Sequence, residues 1–106
     1  MPSFADRERE FEARFAHDQE FRFRVSARRN RLLGLWAAEQ LGLLGEAAEA
    51  YGKRVVDAQF EPGRDRGVID KVAADLGAKD PTITAARVRF ELEHFAQQAR
   101  RQLLRE

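Results

Sequence analysis

The most distinctive hydrophobic pattern in the chain is a stripe of three phenylalanines near its N-terminus. Phe4, Phe11 and Phe15 are separated by seven and four residues, so on an α-helix they fall within about 40° of one another. Every position between them is charged or alanine. The pattern predicts an amphipathic helix, and because so polar a segment folds poorly alone, it indicates a helix that docks onto a partner.

An apolar face continues beyond this stripe but points in a different direction. It is displaced by about 60° from the phenylalanines, and it is formed by Val25, Leu32, Leu33 and Trp36. The change falls between His17 and Phe21. Either the helix breaks there, or it is continuous and its two halves face different partners. Gly42 is a natural residue to follow the end of this helix.

Three shorter helices are predicted downstream. The second runs from about Glu46 to Phe60, before the turn Glu61-Pro62-Gly63. The third is short and ends at Gly77. The fourth starts after Asp80-Pro81-Thr82, with either Asp80 or Thr82 as its N-cap, and it continues to the C-terminus.

The buried faces of these helices follow from their apolar spacing. In chain order, the predicted buried residues are Ala47, Ala48, Tyr51, Val55 and Ala58, then Val68, Ile69, Val72, Ala73 and Leu76, then Val88, Leu92, Phe95, Ala99 and Leu103. No segment alternates with a period of two. The sequence therefore predicts an all-α fold, a small antiparallel four-helix bundle. Whether the N-terminal segment is disordered or a loosely attached helix in the free protein is left open.

Composition narrows the possible functions. The chain has 106 residues, enough for one domain, and its formal net charge of +1 argues against a domain that binds nucleic acid with its whole surface. It has no cysteine, which excludes disulfides and thiolate metal sites and fits a reducing cytoplasm. We expect no signal peptide in MPSFADRERE, and the apolar run at 32–38 is too short to span a bilayer.

Candidate catalytic residues are few and isolated. The histidines are His17 and His94, and the serines, Ser3 and Ser26, lie in no nucleophile motif. His17-Asp18 is a weak signal, since adjacent helical residues point in different directions. The glycines form no phosphate-binding loop. We therefore predict that the protein is not an enzyme and has no cofactor, metal or catalytic site.

Charge is distributed unevenly along the first helix. Acidic residues outnumber basic ones in 3–20, whereas 21–31 contains five arginines and no acid. Three pairs four residues apart, each worth about 0.3–0.5 kcal/mol, favour a helix; they are Glu10–Arg14, Asp18–Arg22 and Glu20–Arg24.

Several interpretations of these features remain open at this point. The three phenylalanines either cap the bundle core, belong to a frayed tail, or bind a partner. The run Arg22–Arg31 could make the protein a helical adaptor for nucleic acid, anionic lipid or an acidic protein, although some of Arg28–Arg31 are expected to pair with bundle carboxylates. Weak nucleotide binding by the bundle is a third possibility, which no motif supports.

The segments FADREREFEARFAHDQE and ARRNRLLGLWAAEQLGL resemble the zeta subunit family, small inhibitors of alphaproteobacterial F-type ATP synthases. The resemblance covers essentially the whole chain, is densest over Phe4–Leu43, and extends through YGKRVVDAQFE. The third and fourth helices match the family only as a pattern.

The resemblance implies a function. It assigns 1–18 as an inhibitory segment and 19–106 as a helical bundle domain. It implies that the segment inserts as a helix between the alpha and beta subunits of the catalytic head, near the gamma shaft, and blocks ATP hydrolysis. Within the segment we expect the partner to contact Phe4, Arg7, Glu8, Phe11, Arg14, Phe15, His17 and Asp18, with the phenylalanines as apolar anchors.

The same resemblance sets expectations for the free protein. We expect a monomer in the cytoplasm, at the inner face of the cytoplasmic membrane when bound to ATP synthase. We expect no nucleic acid partner and no insertion into the membrane.

Overall fold

Four α-helices build the protein in the computed structural model, which describes residues 3–106. They are α1 (Phe4–Gln40), α2 (Gly45–Ala58), α3 (Asp65–Lys79) and α4 (Ala85–Leu104). Residues 3–106 contain no strand, so the prediction of a small all-α bundle is confirmed. Met1 and Pro2, which begin the predicted inhibitory segment, lie outside the described residues.

Helix α1 is unbroken over 37 residues. It passes through His17–Phe21 without interruption, so the second of the two interpretations of this region is correct. At 1.5 Å per residue the helix is about 55 Å long, close to the 63 Å long axis of the whole molecule. The radius of gyration is 17.3 Å, whereas a compact domain of this length has about 13 Å. One end of α1 therefore projects from the bundle.

Both ends of α1 are capped by specific backbone and side-chain hydrogen bonds. Ser3 is the N-cap: its Oγ accepts from the Asp6 amide at 3.2 Å, and the Asp6 carboxylate accepts from the Ser3 amide at 3.2 Å. At the other end Gly42 has φ +76°, and the Leu43 amide donates to the Ala38 carbonyl at 2.9 Å. The prediction for Gly42 is confirmed, whereas the Ser3 cap was not anticipated.

The predicted end of α3 is wrong. The helix continues through Gly77 to Lys79, since a glycine in a helix interior costs only about 1 kcal/mol relative to alanine. It ends where Asp80 adopts an extended conformation, with its amide still bonded to the Leu76 carbonyl at 2.8 Å.

Both predicted N-caps of α4 are also wrong. The cap is Thr84, whose hydroxyl accepts from the Arg87 amide at 3.3 Å. Asp80 instead closes a turn: its carboxylate accepts from the Thr82 hydroxyl at 2.7 Å and from the Thr82 amide at 3.0 Å. These hydrogen bonds, the hydroxyl's first, hold the pKa of Asp80 below its usual value.

The core joins one face of each helix. Its main cluster consists of Leu33, Ala37, Ala38, Tyr51, Val55, Ala58, Val68, Ile69, Val72, Leu76, Val88 and Leu92. A second, smaller cluster unites Val25 of α1 with Ala99 and Leu103 of α4, and Phe21 packs against it. Most predicted core positions are confirmed. Ala47 is the exception: it is exposed, because the first turn of α2 directs the neighbouring Ala48 against the main cluster instead.

Helices α1 and α2 cross with their backbones in close approach at two glycines. A Cβ atom added to Gly34 would lie 2.7 Å from the Gly52 Cα and 3.2 Å from its carbonyl oxygen. Real Cβ atoms do not approach backbone atoms so closely. The glycine pair therefore sets the distance between the two helices that carry much of the core.

A buried tyrosine links α2 to α3 and makes the free energy of unfolding depend on pH in the alkaline range. The Tyr51 side chain is 3% exposed, and its hydroxyl donates to Asp75 at 2.8 Å. Burial, and then the hydrogen bond to Asp75, raise the pKa of Tyr51 well above its usual 10.0. The folded state therefore favours the neutral phenol of Tyr51. Its contribution to the free energy of unfolding is fully present below pH 10 and is lost as the pH rises further.

Replacing Tyr51 with phenylalanine is expected to flatten the pH dependence of stability in this range. The free energy of unfolding should fall between about pH 10 and 12 in the parent protein and fall less steeply in Tyr51→Phe. The variant should also be about 1 kcal/mol less stable at pH 7, since it loses one hydrogen bond. Urea unfolding at several pH values measures both effects. Equal slopes in the two proteins would contradict the prediction.

Candidate protein-docking site

The projecting part of α1, residues 3–20, is here called the N-terminal arm. Every residue of the arm is exposed, and none belongs to either hydrophobic cluster of the bundle. Phe4, Phe11 and Phe15 are 76%, 71% and 58% exposed. They therefore do not cap the core, and an aligned set of large apolar side chains left in solvent is typical of a binding surface.

The arm is a helix even though no other element packs on it. Isolated helices are marginal because the first turn is costly to form. The arm avoids this cost, since it extends a helix whose later turns are already fixed in the bundle. The Ser3 cap contributes about 1 kcal/mol at its tip, and ion pairs Asp6–Arg9 (2.9 Å) and Glu10–Arg14 (3.9 Å) add smaller amounts. Of the two predicted states, the structure has the attached helix.

Seven of the eight predicted contact residues lie on the phenylalanine side of the arm. At about 100° per residue, the phenylalanines, both arginines, Glu8 and Asp18 fall within about 80° of the stripe's midline. His17 does not join them: it lies about 140° away, on the opposite face. A single surface that receives the stripe would therefore leave His17 outside the contact.

The basic run after the arm is partly neutralised by the bundle. Arg28 donates to Glu106 at 2.7 Å and to Gln102 at 3.0 Å. Arg29, 9% exposed, holds Asp65 with bonds of 2.7 and 3.3 Å. Arg31 lies 3.6 Å from Glu49. The expectation that some of these arginines pair with bundle carboxylates is confirmed. Of the basic run, Arg22 and Arg24 are exposed and form no ion pair among residues 3–106.

Two predicted ion pairs of the first helix are not formed. Among residues 3–106, neither Asp18–Arg22 nor Glu20–Arg24 comes within ion-pair distance. All four side chains are exposed, so water competes for their charges and an ordered pair gains little.

The histidines are placed as surface residues. The His94 ring lies against the Phe95 ring in a tilted arrangement, with centroids 5.1 Å apart and an interplanar angle of 49°, and its Nδ1 lies 3.8 Å from Glu91. In the part of the chain that the structure describes, no three side chains of the metal-binding types are grouped to hold an ion. Over the same residues, no helix combines the length and apolar character needed to cross a membrane.

A small bundle that projects one exposed amphipathic helix is typical of proteins that act by binding another protein. Comparison with known families agrees with this class. A family model described as ATPase inhibitor subunit zeta matches residues 1–102, and the chain belongs to that family. Among curated proteins and solved structures, none matches the chain significantly.

Family membership confirms the resemblance found in the sequence. The family consists of inhibitor subunits, so its role is regulatory rather than catalytic. Membership of this family also implies association with ATP synthase.

Proposed function

We propose that the protein inhibits ATP hydrolysis by F-type ATP synthase through its N-terminal arm. Residues 1–18 would form the inhibitory segment and residues 19–106 the bundle domain that carries it. The segment would insert as a helix at a catalytic interface between the alpha and beta subunits, near the gamma subunit. The observation that carries the proposal is the row of three phenylalanines, 58–76% exposed, on a helix that projects from a folded bundle.

Insertion of a helix would inhibit without any chemistry of its own. A rotary ATPase must open and close its catalytic interfaces in each cycle. A helix that binds one arrangement of the interface more tightly than the others shifts the enzyme toward that arrangement. The cycle then stops because the next arrangement would have to expel the helix.

The phenylalanines would supply most of the binding energy. Burial of such a side chain contributes about 1.5–3 kcal/mol, and aromatic anchors usually dominate interfaces. Arg7, Arg14 and the neighbouring acids Glu8 and Asp18 would set the register of the helix. His17 would take part only where the interface surrounds the arm.

A helix formed in advance lowers the cost of binding. Ordering a disordered segment costs free energy at the moment of association. The Ser3 cap and the continuity with the bundle remove most of that cost for the arm. This favours binding of the arm as a ready-formed helix.

The proposal also specifies the setting of the protein. Its partners would be the alpha, beta and gamma subunits of the catalytic head, and it would be a monomer when free. It would act in the cytoplasm, at the inner face of the cytoplasmic membrane, without entering the membrane. It would need neither a cofactor nor nucleic acid.

The variant Phe11→Ala with Phe15→Ala tests the proposal. We expect the concentration needed for half-maximal inhibition of the cognate ATPase to rise at least about a hundredfold, because two apolar anchors are lost. The thermal stability of the bundle should stay unchanged, since both side chains are exposed.

A matched control removes two exposed apolar side chains elsewhere. Phe90 and Leu104 of α4 are 68% and 69% exposed, and Phe90→Ala with Leu104→Ala should inhibit like the parent protein. If the arm variant inhibits normally, the phenylalanines are not the anchors. If instead it destabilises the bundle, they belong to the fold.

A further inference from the structure

The phenylalanine stripe separates two flanks of opposite charge. Taking the midline of the stripe as zero, Arg7 and Arg14 lie at about −60° and −80°, whereas Glu8 and Glu12 lie at about +40° and +80°. All four side chains are exposed. Over residues 7–14 the arm thus has a basic edge, an apolar centre and an acidic edge. The basic edge ends at Asp18, which lies on the same side.

We propose that the groove that receives the arm has walls of opposite charge, an acidic wall facing Arg7 and Arg14 and a basic wall facing Glu8 and Glu12. This inference rests on the proposed function and specifies the chemistry of its partner surface. Glu12 enters as a contact residue that sequence reasoning did not select.

The charges on these edges are available for a partner. Among residues 3–106, Arg7, Glu8 and Glu12 form no ion pair. Arg14 has only a long contact of 3.9 Å with Glu10. The one short ion pair of the arm, Asp6–Arg9 at 2.9 Å, lies on the opposite face, about 140–200° from the stripe. The arm therefore satisfies charges on its back and leaves its two edges free.

The two charged edges can determine the direction in which the arm binds, which the phenylalanine stripe alone cannot. A narrow apolar stripe can lie along the floor of a groove in either of two directions. Turning the helix end for end exchanges its left and right edges, so each edge then faces the other wall. With walls of opposite charge, the wrong direction places like charges together, which is unfavourable. The edges thus select one of the two directions in which the arm could lie along the groove.

Exchanging the edges tests the proposal at constant composition and net charge. The edge exchange is Arg7→Glu, Arg14→Glu, Glu8→Arg and Glu12→Arg in the full chain. We expect the concentration for half-maximal inhibition to rise at least about tenfold. The control is a back-face exchange, Arg9→Glu with Glu20→Arg, at exposed positions about 140° and 160° from the stripe, and it should stay within about twofold of the parent. Far-UV circular dichroism of each variant reports whether the arm remains helical.

If the edge exchange reduces the helicity of the arm, two variants with uncharged edges still test the inference. Arg7→Gln with Arg14→Gln, and Glu8→Gln with Glu12→Gln, keep good helix formers. Each should weaken inhibition, since each edge has its own wall. Normal inhibition by both, or an effect from one edge only, would overturn the inference of two charged walls.

The outcome is separable from that of the proposed function. If the edge variants inhibit normally while Phe11→Ala with Phe15→Ala does not, the arm inserts but the walls are not of opposite charge. If none of these variants loses inhibition, the arm is not the inhibitory element.

Discussion

A chain that lacks residues 1–18 should remain folded and should no longer inhibit ATP hydrolysis. The deleted residues that the structure describes are all exposed, and both hydrophobic clusters lie after them, the smaller one starting at Phe21 and the main one at Leu33. The free energy of unfolding should therefore change by less than about 1 kcal/mol. Inhibition should be lost completely, because the deletion removes every proposed contact residue, from Phe4 to Asp18.

The measurement pairs urea unfolding with an ATPase assay on the cognate enzyme. A useful control is a chain in which the order of residues 4–18 is shuffled so that the phenylalanines no longer align. It has the same length and charge, and it should fail to inhibit as the deletion does. Inhibition by the truncated chain at the parent concentration would place the inhibitory surface on the bundle and refute the proposed mechanism.

The substitution Gly34→Ala should be the most damaging small change within the bundle. The new Cβ would lie 2.7 Å from the Gly52 Cα and 3.2 Å from the Val55 Cβ. The obstacle at Gly52 is backbone, so the helices must move apart, and we expect a loss of about 1–3 kcal/mol in the free energy of unfolding. This loss occurs although alanine is about 1 kcal/mol better than glycine in a helix.

Gly77→Ala is the matched control for this crossing. Gly77 also lies inside a helix, but its added Cβ would meet only the Ile83 carbonyl oxygen at 3.6 Å, an ordinary contact. We expect this variant to be as stable as the parent or more stable, by up to about 1 kcal/mol. Thermal melts of both variants make the comparison. Equal stabilities would mean that α1 and α2 can separate at little cost.

The number of helices and most of the core could be predicted because both depend on local spacing. Apolar residues three and four positions apart define a helix face wherever the rest of the fold lies. Helix ends were harder to predict, since several neighbouring residues can each serve as the cap and only one of them does. At the start of α4, the N-cap is Thr84 and not Asp80 or Thr82. At the end of α3, Gly77 does not have the positive φ that would have ended the helix there.

The candidate site was predictable as a segment but not as a surface. A contiguous stretch of sequence selects residues on all sides of a helix, and so His17 was chosen together with the phenylalanines. Only an unbroken helix assigns it to the far face. Likewise, the ion pairs of Arg28 and Arg29 join residues 78 and 36 positions apart, and no local pattern could have identified those partners.

The continuity of α1 limits how far the protein can enter a confined space. The arm is a rod about 10–12 Å across with its side chains, and it reaches about 25 Å ahead of Phe21. Directly behind it the molecule widens to the bundle, and the two shorter dimensions of the whole molecule are 26 and 20 Å. Helix α1 is continuous from the arm into the bundle, so the wider bundle follows the arm rigidly. Any opening that admits the rod but not the bundle will stop it at a fixed depth, set by the number of residues before Phe21.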